Sequence, residues 1–183
     1  MLEFTLALVG VGPLPELSMR TCAQQLAMGL SAELIPVACG SEPHSCLQTL
    51  VSNRSLSSRP TLLRLCGDAA MAQGSSGSWL EALAAWRCPV LLLAQPNSAG
   101  LIPGMAPASV ALCHSLGIRL IGLAQLGGEW DRGARRLDGL PWCGLLDLSD
   151  HGGAETDELI QSVRQCWRHI DSAINFEVAR SAS

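Results

Sequence analysis

Short apolar runs alternate with amphipathic stretches along the whole chain. The runs are too short for ordinary helices and most end at glycine or at a polar turn, so they predict buried strands. Between them, apolar residues recur at helical spacing. The predicted strands cover 4–11, 33–37, 61–66, 89–94, 118–123 and 143–148. The predicted helices cover 16–30, 46–51, 79–86, 108–116 and about 155–175.

This alternation predicts an α/β fold. We expect a single three-layer domain over 1–175, with a mostly parallel sheet of about six strands and helices on both faces. A flexible tail is expected over 176–183. The stretches at 96–107 and 127–139 are rich in glycine, proline or charge, and predict loops.

Composition excludes several function classes. The chain of 183 residues is 48% hydrophobic and 15% charged, which is typical of a folded domain. Its net charge is −4 and it has no basic stripe, so nucleic-acid binding has no electrostatic support. Its apolar runs are far shorter than the ~20 residues that span a bilayer, and no signal peptide is recognisable, so we expect a cytoplasmic protein that does not bind membranes.

All 12 basic residues are arginine, because the sequence contains no lysine. A Schiff base, a lysine general base and a P-loop ammonium are therefore all excluded. The eight cysteines are scattered without a C-x-x-C pair, which predicts small buried side chains rather than a disulfide framework.

Candidate ligand-binding residues follow the predicted strands. In parallel sheets, ligands lie beyond the carboxyl ends of the strands. The polar or reactive residues expected at this rim are Glu16, Cys39, Cys66, Asp68 and Gln125. Two of them are cysteines that end strands, so a thiol role is conceivable.

Several segments, in order from about 4 to 170, resemble dethiobiotin synthetase, a P-loop ATP-dependent carboxylating enzyme of biotin synthesis. Residues 35–40, Ile-Pro-Val-Ala-Cys-Gly, are similar to the family's Lys-Pro-Val-x-Thr-Gly. Cys-Gly-Asp-Ala at 66–69 stands where the family has Glu-Gly-Ala-Gly. The segments at 89–93 and 100–102 resemble its late strand and loop, and 116–122 is the most similar stretch, corresponding to the strand that leads to the adenine pocket.

The resemblance implies a degenerate phosphate site. Its vestige would be Gly10, Gly12, Arg20 and Thr21, with Arg20 where the family's lysine stands. Pro13 and Pro15 remove backbone donors that a P-loop would use. The second family lysine corresponds to Ile35 and the metal-associated glutamate to Cys66. The adenine-reading asparagine falls near Gln125 or Leu126.

Because phosphoryl transfer depends on charge stabilisation and positioning, these losses predict that ATP turnover is lost. The leading interpretation is a non-catalytic binding or regulatory partner, with no cofactor. A second is a divergent dethiobiotin synthetase that uses ATP and Mg²⁺, with Arg20 at the phosphate. A third is an enzyme that handles a small molecule or a metal through Glu16, Cys39, Cys66 and Asp68.

Other motifs are weaker. Gly10-Val11-Gly12 lacks the third glycine of a dinucleotide fingerprint. The histidines have no partners at zinc-ligand spacing; His44 is predicted in a loop, His114 and His169 on helix surfaces, and His151 in a polar turn. Trp130 and Trp142 are predicted in loops, where they could anchor a protein partner or a homodimer.

Overall fold

The computed structural model of the chain describes residues 5–12, 14–54, 59–148 and 153–181. The strands are β1 (Thr5–Gly10), β2 (Glu33–Ala38), β3 (Thr61–Cys66), β4 (Val90–Ala94), β5 (Leu120–Leu126) and β6 (Trp142–Leu146). The helices are α1 (Glu16–Leu30), α2 (Pro43–Arg54), α3 (Trp79–Ala85), α4 (Met105–Ser115), α5 (Arg132–Leu137) and α6 (Ala154–Ser181), with a 3-10 turn at Gly74–Ser76.

The six strands form one parallel sheet in the order β2-β3-β1-β4-β5-β6. Leu8 of β1 pairs with Arg64 of β3 on one side and with Leu91 of β4 on the other. A dinucleotide-binding sheet has the order 3-2-1-4-5-6, in which the second strand lies beside the first. Here β3 takes that place, so the sheet is consistent with a P-loop-like three-layer fold.

The helices cover both faces of the sheet because successive strand residues point to opposite sides. Ala7 and Val9 face a core that includes Leu47 of α2, Trp79 of α3 and Val110 of α4. The alternating residues Leu6 and Leu8 face a second core, built with α1 and α6. Its helical members include Cys22, Leu26, Leu159 and Val163. This confirms the predicted single α/β domain with a parallel sheet of six strands.

Several local predictions differ from the structure: α2 spans Pro43–Arg54 rather than 46–51, and β5 spans Leu120–Leu126 rather than 118–123. The arginine-rich segment predicted as loop contains α5, which begins after Asp131, whose carboxylate accepts from the backbone N–H of Gly133 and Ala134. Helix α4 begins at Met105 rather than at 108, since Pro107 in a first turn loses no hydrogen bond. Helix α6 extends to Ser181, beyond the predicted end near 175.

No helix in the described part of the chain is long and apolar enough to cross a membrane.

His44 also differs from its prediction: it lies in the first turn of α2 and not in a loop. The helix begins there because the Glu42 carboxylate accepts hydrogen bonds from the backbone N–H groups of His44 and Ser45. His44 Nδ1 in turn accepts from Trp86 Nε1 at 3.1 Å. His114 and His169 are exposed on helices, as predicted, and His151 lies outside the described residues.

Candidate functional site

A cavity of about 470 Å³ lies at the carboxyl edge of β1, β3 and β4. The sheet order places it there, because β1 is central and the loops that follow its two neighbours converge beside its own loop. The described lining residues are Val9, Gly10, Gly12, Leu14, Glu16, Met19, Leu65, Cys66, Gly67, Asp68, Ala69, Ala70, Leu80, Leu92, Met105 and Ser109.

Five of the predicted site residues therefore meet at this cavity: Gly10, Gly12, Glu16, Cys66 and Asp68. Four others are not among its described lining residues. These are Arg20, Thr21, Cys39 and Gln125. The predicted rim is thus divided between one cavity and positions outside it.

Glu16 is the most strongly tethered side chain of the cavity wall. It is the first residue of α1, where a carboxylate also faces the positive end of the helix dipole. Arg64 Nη1 donates a hydrogen bond to Glu16 Oε1 at 2.5 Å, and Arg20 Nη2 lies 3.7 Å from the same oxygen. The Arg64 hydrogen bond is the main reason why the pKa of Glu16 is below its usual value.

Arg64 was not recognised from the sequence as a site residue. It interrupts the apolar strand Thr-Leu-Leu-Arg-Leu-Cys, and the side chain is only 8% exposed. A buried charge needs a partner, because leaving water costs several kcal/mol. An arginine at the centre of a buried strand was therefore the available signal that a carboxylate lies nearby.

The charged side chains among the described lining residues of the first cavity are acidic. Its charged lining residues are the carboxylates of Glu16 and Asp68, and no arginine or histidine is among the described lining residues. Asp68 Oδ1 accepts from the backbone N–H of Ala70 at 2.9 Å, which fixes the turn after β3. Most of the remaining wall is aliphatic. The cavity suits an apolar molecule that is neutral or cationic better than a polyanion.

The backbone between β1 and α1 offers few free donors to a phosphate. The amide of Val11 donates to Leu93 O at 2.8 Å, so it is used within the sheet. Pro15 precedes the first helical residue and has no N–H. Gly12 has a φ of 70° and faces Met105, while Pro13 lies outside the described residues. Arg20 is exposed and held near Glu16, and Thr21 is half-buried.

Cys39 and Cys66 lie at adjacent strand ends. The backbone N–H of Cys39 donates to Cys66 O at 2.9 Å, and both thiols are free. Burial, together with smaller contributions from the nearby Cys66 and Asp68, raises the pKa of Cys39 to about 11. Cys39 is therefore held as a thiol at neutral pH, which disfavours it as a nucleophile.

Gln125 is completely buried and its amide is fully engaged. Nε2 donates to Gly127 O and Glu129 O, each at 2.9 Å, and Oε1 accepts from Arg135 Nε at 3.0 Å. Both donors are used, so the amide has no N–H left to read a nucleobase edge. Gln125 fixes the turn after β5 instead.

A second cavity, of about 480 Å³, lies between α5, β6 and α6. The Trp130 and Trp142 rings meet edge to face with centroids 6.1 Å apart. The Arg135 guanidinium lies 5.1 Å from the Trp142 ring centroid, and Trp142 Nε1 donates to both carboxylate oxygens of Asp138. Trp130 lies in a loop, as predicted, whereas Trp142 is the first residue of β6 and not a loop residue. Both tryptophans predicted as possible partner anchors line this one groove.

The fold and the first cavity define a class: a P-loop-like α/β domain whose carboxyl-edge cavity is apolar and acidic. Among the described residues, no group of three or more histidine, cysteine, aspartate or glutamate side chains could hold a metal ion.

Comparisons with known proteins do not show to which family the chain belongs. No protein-family model matches the chain, and no curated protein matches it. Among solved structures it is similar to an N-acetylneuraminic acid (sialic acid) synthetase from Leptospira borgpetersenii in complex with citrate. The identity is 12%, the TM-score is 0.34, and the match covers 94% of this chain and 85% of that chain. A likeness at this level carries no argument about fold or function.

Proposed function

We propose that this chain is a binding protein that does not turn over ATP. In this proposal it is a dethiobiotin-synthetase-like domain whose phosphate site is degenerate, and it acts through a bound ligand or partner rather than through phosphoryl transfer. The observation that carries the proposal is the ion pairing of Glu16. At the start of α1, its carboxylate forms an ion pair with Arg64 and lies 3.7 Å from the Arg20 guanidinium.

This arrangement opposes a triphosphate in two ways. A phosphate at the N-terminus of α1 would approach the Glu16 carboxylate, and two unpaired like charges at ~4 Å repel by roughly 4 kcal/mol at the effective dielectric of a protein surface. This is an upper bound, because Arg64 and Arg20 offset part of the Glu16 charge. It would also compete with Glu16 for Arg20, since no arginine lines the described cavity wall. A P-loop instead supplies a lysine and several free backbone N–H groups at this point.

The lining of the first cavity supports a proposal for the ligand class. Its wall combines aliphatic side chains such as Leu14, Leu65 and Leu92 with the carboxylates of Glu16 and Asp68. A small molecule with an apolar body, neutral or bearing an amine, matches that wall. The proposed ligand class is therefore a compact apolar compound without phosphate groups.

Two titrations of the purified protein test this proposal. Isothermal titration with ATP and Mg²⁺ is expected to give no heat of binding up to about 1 mM nucleotide. Titration with the neutral fluorophore N-phenyl-1-naphthylamine is expected to give saturable fluorescence. The Ala70→Trp variant fills the cavity from an exposed wall position and should abolish that signal, whereas the exposed control Ala85→Trp on α3 should keep it.

The opposite results would overturn the proposal. Micromolar ATP binding that is lost in Arg20→Ala would instead favour the divergent dethiobiotin synthetase. Equal fluorophore binding by both tryptophan variants would show that the cavity is not the ligand site.

The third interpretation, an enzyme using the rim residues, keeps one supporting observation: Cys66 and Asp68 share the cavity wall. Glu16 also lies in that wall but is already paired with Arg64, and Cys39 is buried outside the described lining, so one of the four residues is missing from the wall. Metal analysis of the purified protein separates this interpretation, since a stoichiometric metal would favour it.

A further inference from the structure

The second cavity is a groove along the outer edge of the sheet. Consecutive β6 residues from Trp142 to Leu145 line it, although their side chains point alternately to opposite faces. Only the edge of a strand can present consecutive residues to one space. β6 is the last strand of the sheet, and among the described residues it pairs with β5 alone.

The two walls of this groove carry opposite charges. The α5 wall is basic, with Arg132, Arg135 and Arg136, and the α6 wall is acidic, with Glu155 and Glu158. The walls lie on opposite faces of the sheet. Arg135 stacks on Trp142, which packs with the α2–α4 core, whereas α6 packs on the other face through Leu159 and its neighbours.

One ion pair joins the walls. Arg132 Nη2 lies 2.6 Å from Glu158 Oε2, and the two side chains are 61% and 64% exposed. Such a pair contributes little to stability and yields easily to a competing partner. Arg136 and Glu155 have no ion-pair partner among the described residues. The groove therefore offers unsatisfied charge of both signs beside an open strand edge.

We propose that this groove, named here the β6 edge groove, binds an extended peptide as a seventh strand. Within the regular register over Gly144–Leu146, Leu146 O accepts from Gly127 N on the β5 side, so the alternating residue Leu145 presents its N–H and C=O to the groove; the irregularity of β6 lies before it, at Cys143. Added strands bind through main-chain hydrogen bonds and are selected by alternate side chains. The proposal concerns a different surface from the apolar cavity and does not depend on what that cavity binds.

The charges of the walls specify the peptide. Successive side chains of an added strand point to opposite faces, so one set meets the α5 arginines and the other meets the α6 glutamates. The complementary sequence alternates acidic and basic residues. Arg132 and Glu158 then exchange their weak mutual contact for two contacts with the peptide.

A second copy of this chain fits the groove poorly. Two copies joined edge to edge by a twofold axis perpendicular to the sheet place α5 beside α5 and α6 beside α6. Arginine would then face arginine and glutamate would face glutamate, which costs binding energy. Charge complementarity therefore favours a peptide from another chain.

The test uses fluorescence titration of the intact protein, with Trp130 and Trp142 as reporters, at low ionic strength of about 20 mM. The probe is a capped peptide of about eight residues that alternates glutamate and lysine. The control peptide has the same composition arranged as a glutamate block followed by a lysine block. The alternating peptide is expected to bind at least about fivefold more tightly than the control.

Charge-reversal variants complete the test. Arg136→Glu and Glu155→Arg should each weaken binding of the alternating peptide by about fivefold. The double variant should bind it no more tightly than either single variant, because Arg132 and Glu158 keep their charges and hold the peptide in its original register. Equal binding of the two peptides, no binding at about 1 mM, or wild-type affinity in the double variant would overturn the proposal. So would a concentration-dependent dimer in sedimentation whose affinity changes in Arg136→Glu, since the groove would then hold a second copy.

Discussion

Glu16 and Arg64 are 48 positions apart in sequence and are joined by a 2.5 Å hydrogen bond between Oε1 and Nη1. The contact fastens the first turn of α1 to the middle of the sheet. Because Arg64 is buried and Glu16 is half exposed, the arginine depends on the carboxylate more than the carboxylate depends on the arginine. This asymmetry leads to the first prediction.

Neutralising Glu16 should destabilise the fold through Arg64. We expect Glu16→Gln to lower the free energy of unfolding by about 1–3 kcal/mol, less than for a fully buried pair, because water reaches Glu16. Arg20→Ala should cost under about 0.5 kcal/mol, since that pair is exposed. Urea denaturation measures both. The double variant Glu16→Gln, Arg64→Met should recover most of the loss, and a double variant as unstable as the single one would contradict this explanation.

The same contact should appear in the pH dependence of stability. The pKa of Glu16 is lowered in the folded state, chiefly by the Arg64 hydrogen bond. Its contribution is therefore complete above the ordinary carboxyl pKa of about 4.5 and is lost as the pH falls through the lower folded value. Urea denaturation between about pH 6 and pH 3 should show a shallower acid limb for Glu16→Gln than for wild type. Arg20→Ala keeps the Arg64 contact and should retain most of the slope.

Gln125 should matter for stability and local order. Gln125→Leu removes both donors to Gly127 O and Glu129 O and the acceptor of Arg135 Nε, so we expect a loss of about 1–3 kcal/mol. Hydrogen exchange should also become faster over 127–129. The exposed Gln24→Leu on α1 is the matched control and should change stability little. An unchanged unfolding curve for Gln125→Leu would show that Gln125 does not fix this turn.

Cys39 should react slowly with alkylating agents. Its pKa of about 11, against an ordinary value of 9.0, lowers the thiolate fraction near neutral pH by about 100-fold. Iodoacetamide labelling at about pH 8, followed by peptide mass spectrometry, should leave Cys39 unmodified in the folded protein and modified in urea. Fast labelling of the folded protein would restore Cys39 as a reactive thiol and strengthen the third interpretation.

The sequence predicted all six strands, because most of them are short, mainly apolar runs with a glycine or polar turn after them. β4, Val90–Ala94, is buried along its whole length and was found for that reason. Helix α5 was missed because Arg-Gly-Ala-Arg-Arg-Leu has no apolar face; it is held by the Asp131 cap and by Arg135 on Gln125 and Trp142. Those contacts are tertiary and leave no period in the sequence.

The site could be predicted only in outline. The rule that ligands lie beyond parallel strands placed Glu16, Cys66 and Asp68 at one cavity. It could not reveal that Glu16 is the ion-pair partner of Arg64, since that contact depends on β3 lying beside β1. Nor could it show that the Gln125 amide bonds to its own turn, because the sequence does not reveal in which direction that side chain points.

The position of β1 at the centre of the sheet also constrains how the chain is made. β1 pairs only with β3 and β4, and β2 pairs only with β3. A nascent chain that stops before Thr61 therefore holds two strands and no partner for either. The apolar residues of β1 have no strand to pair with until about fifty further residues have been synthesised, and unpaired apolar strands of this kind are prone to aggregate.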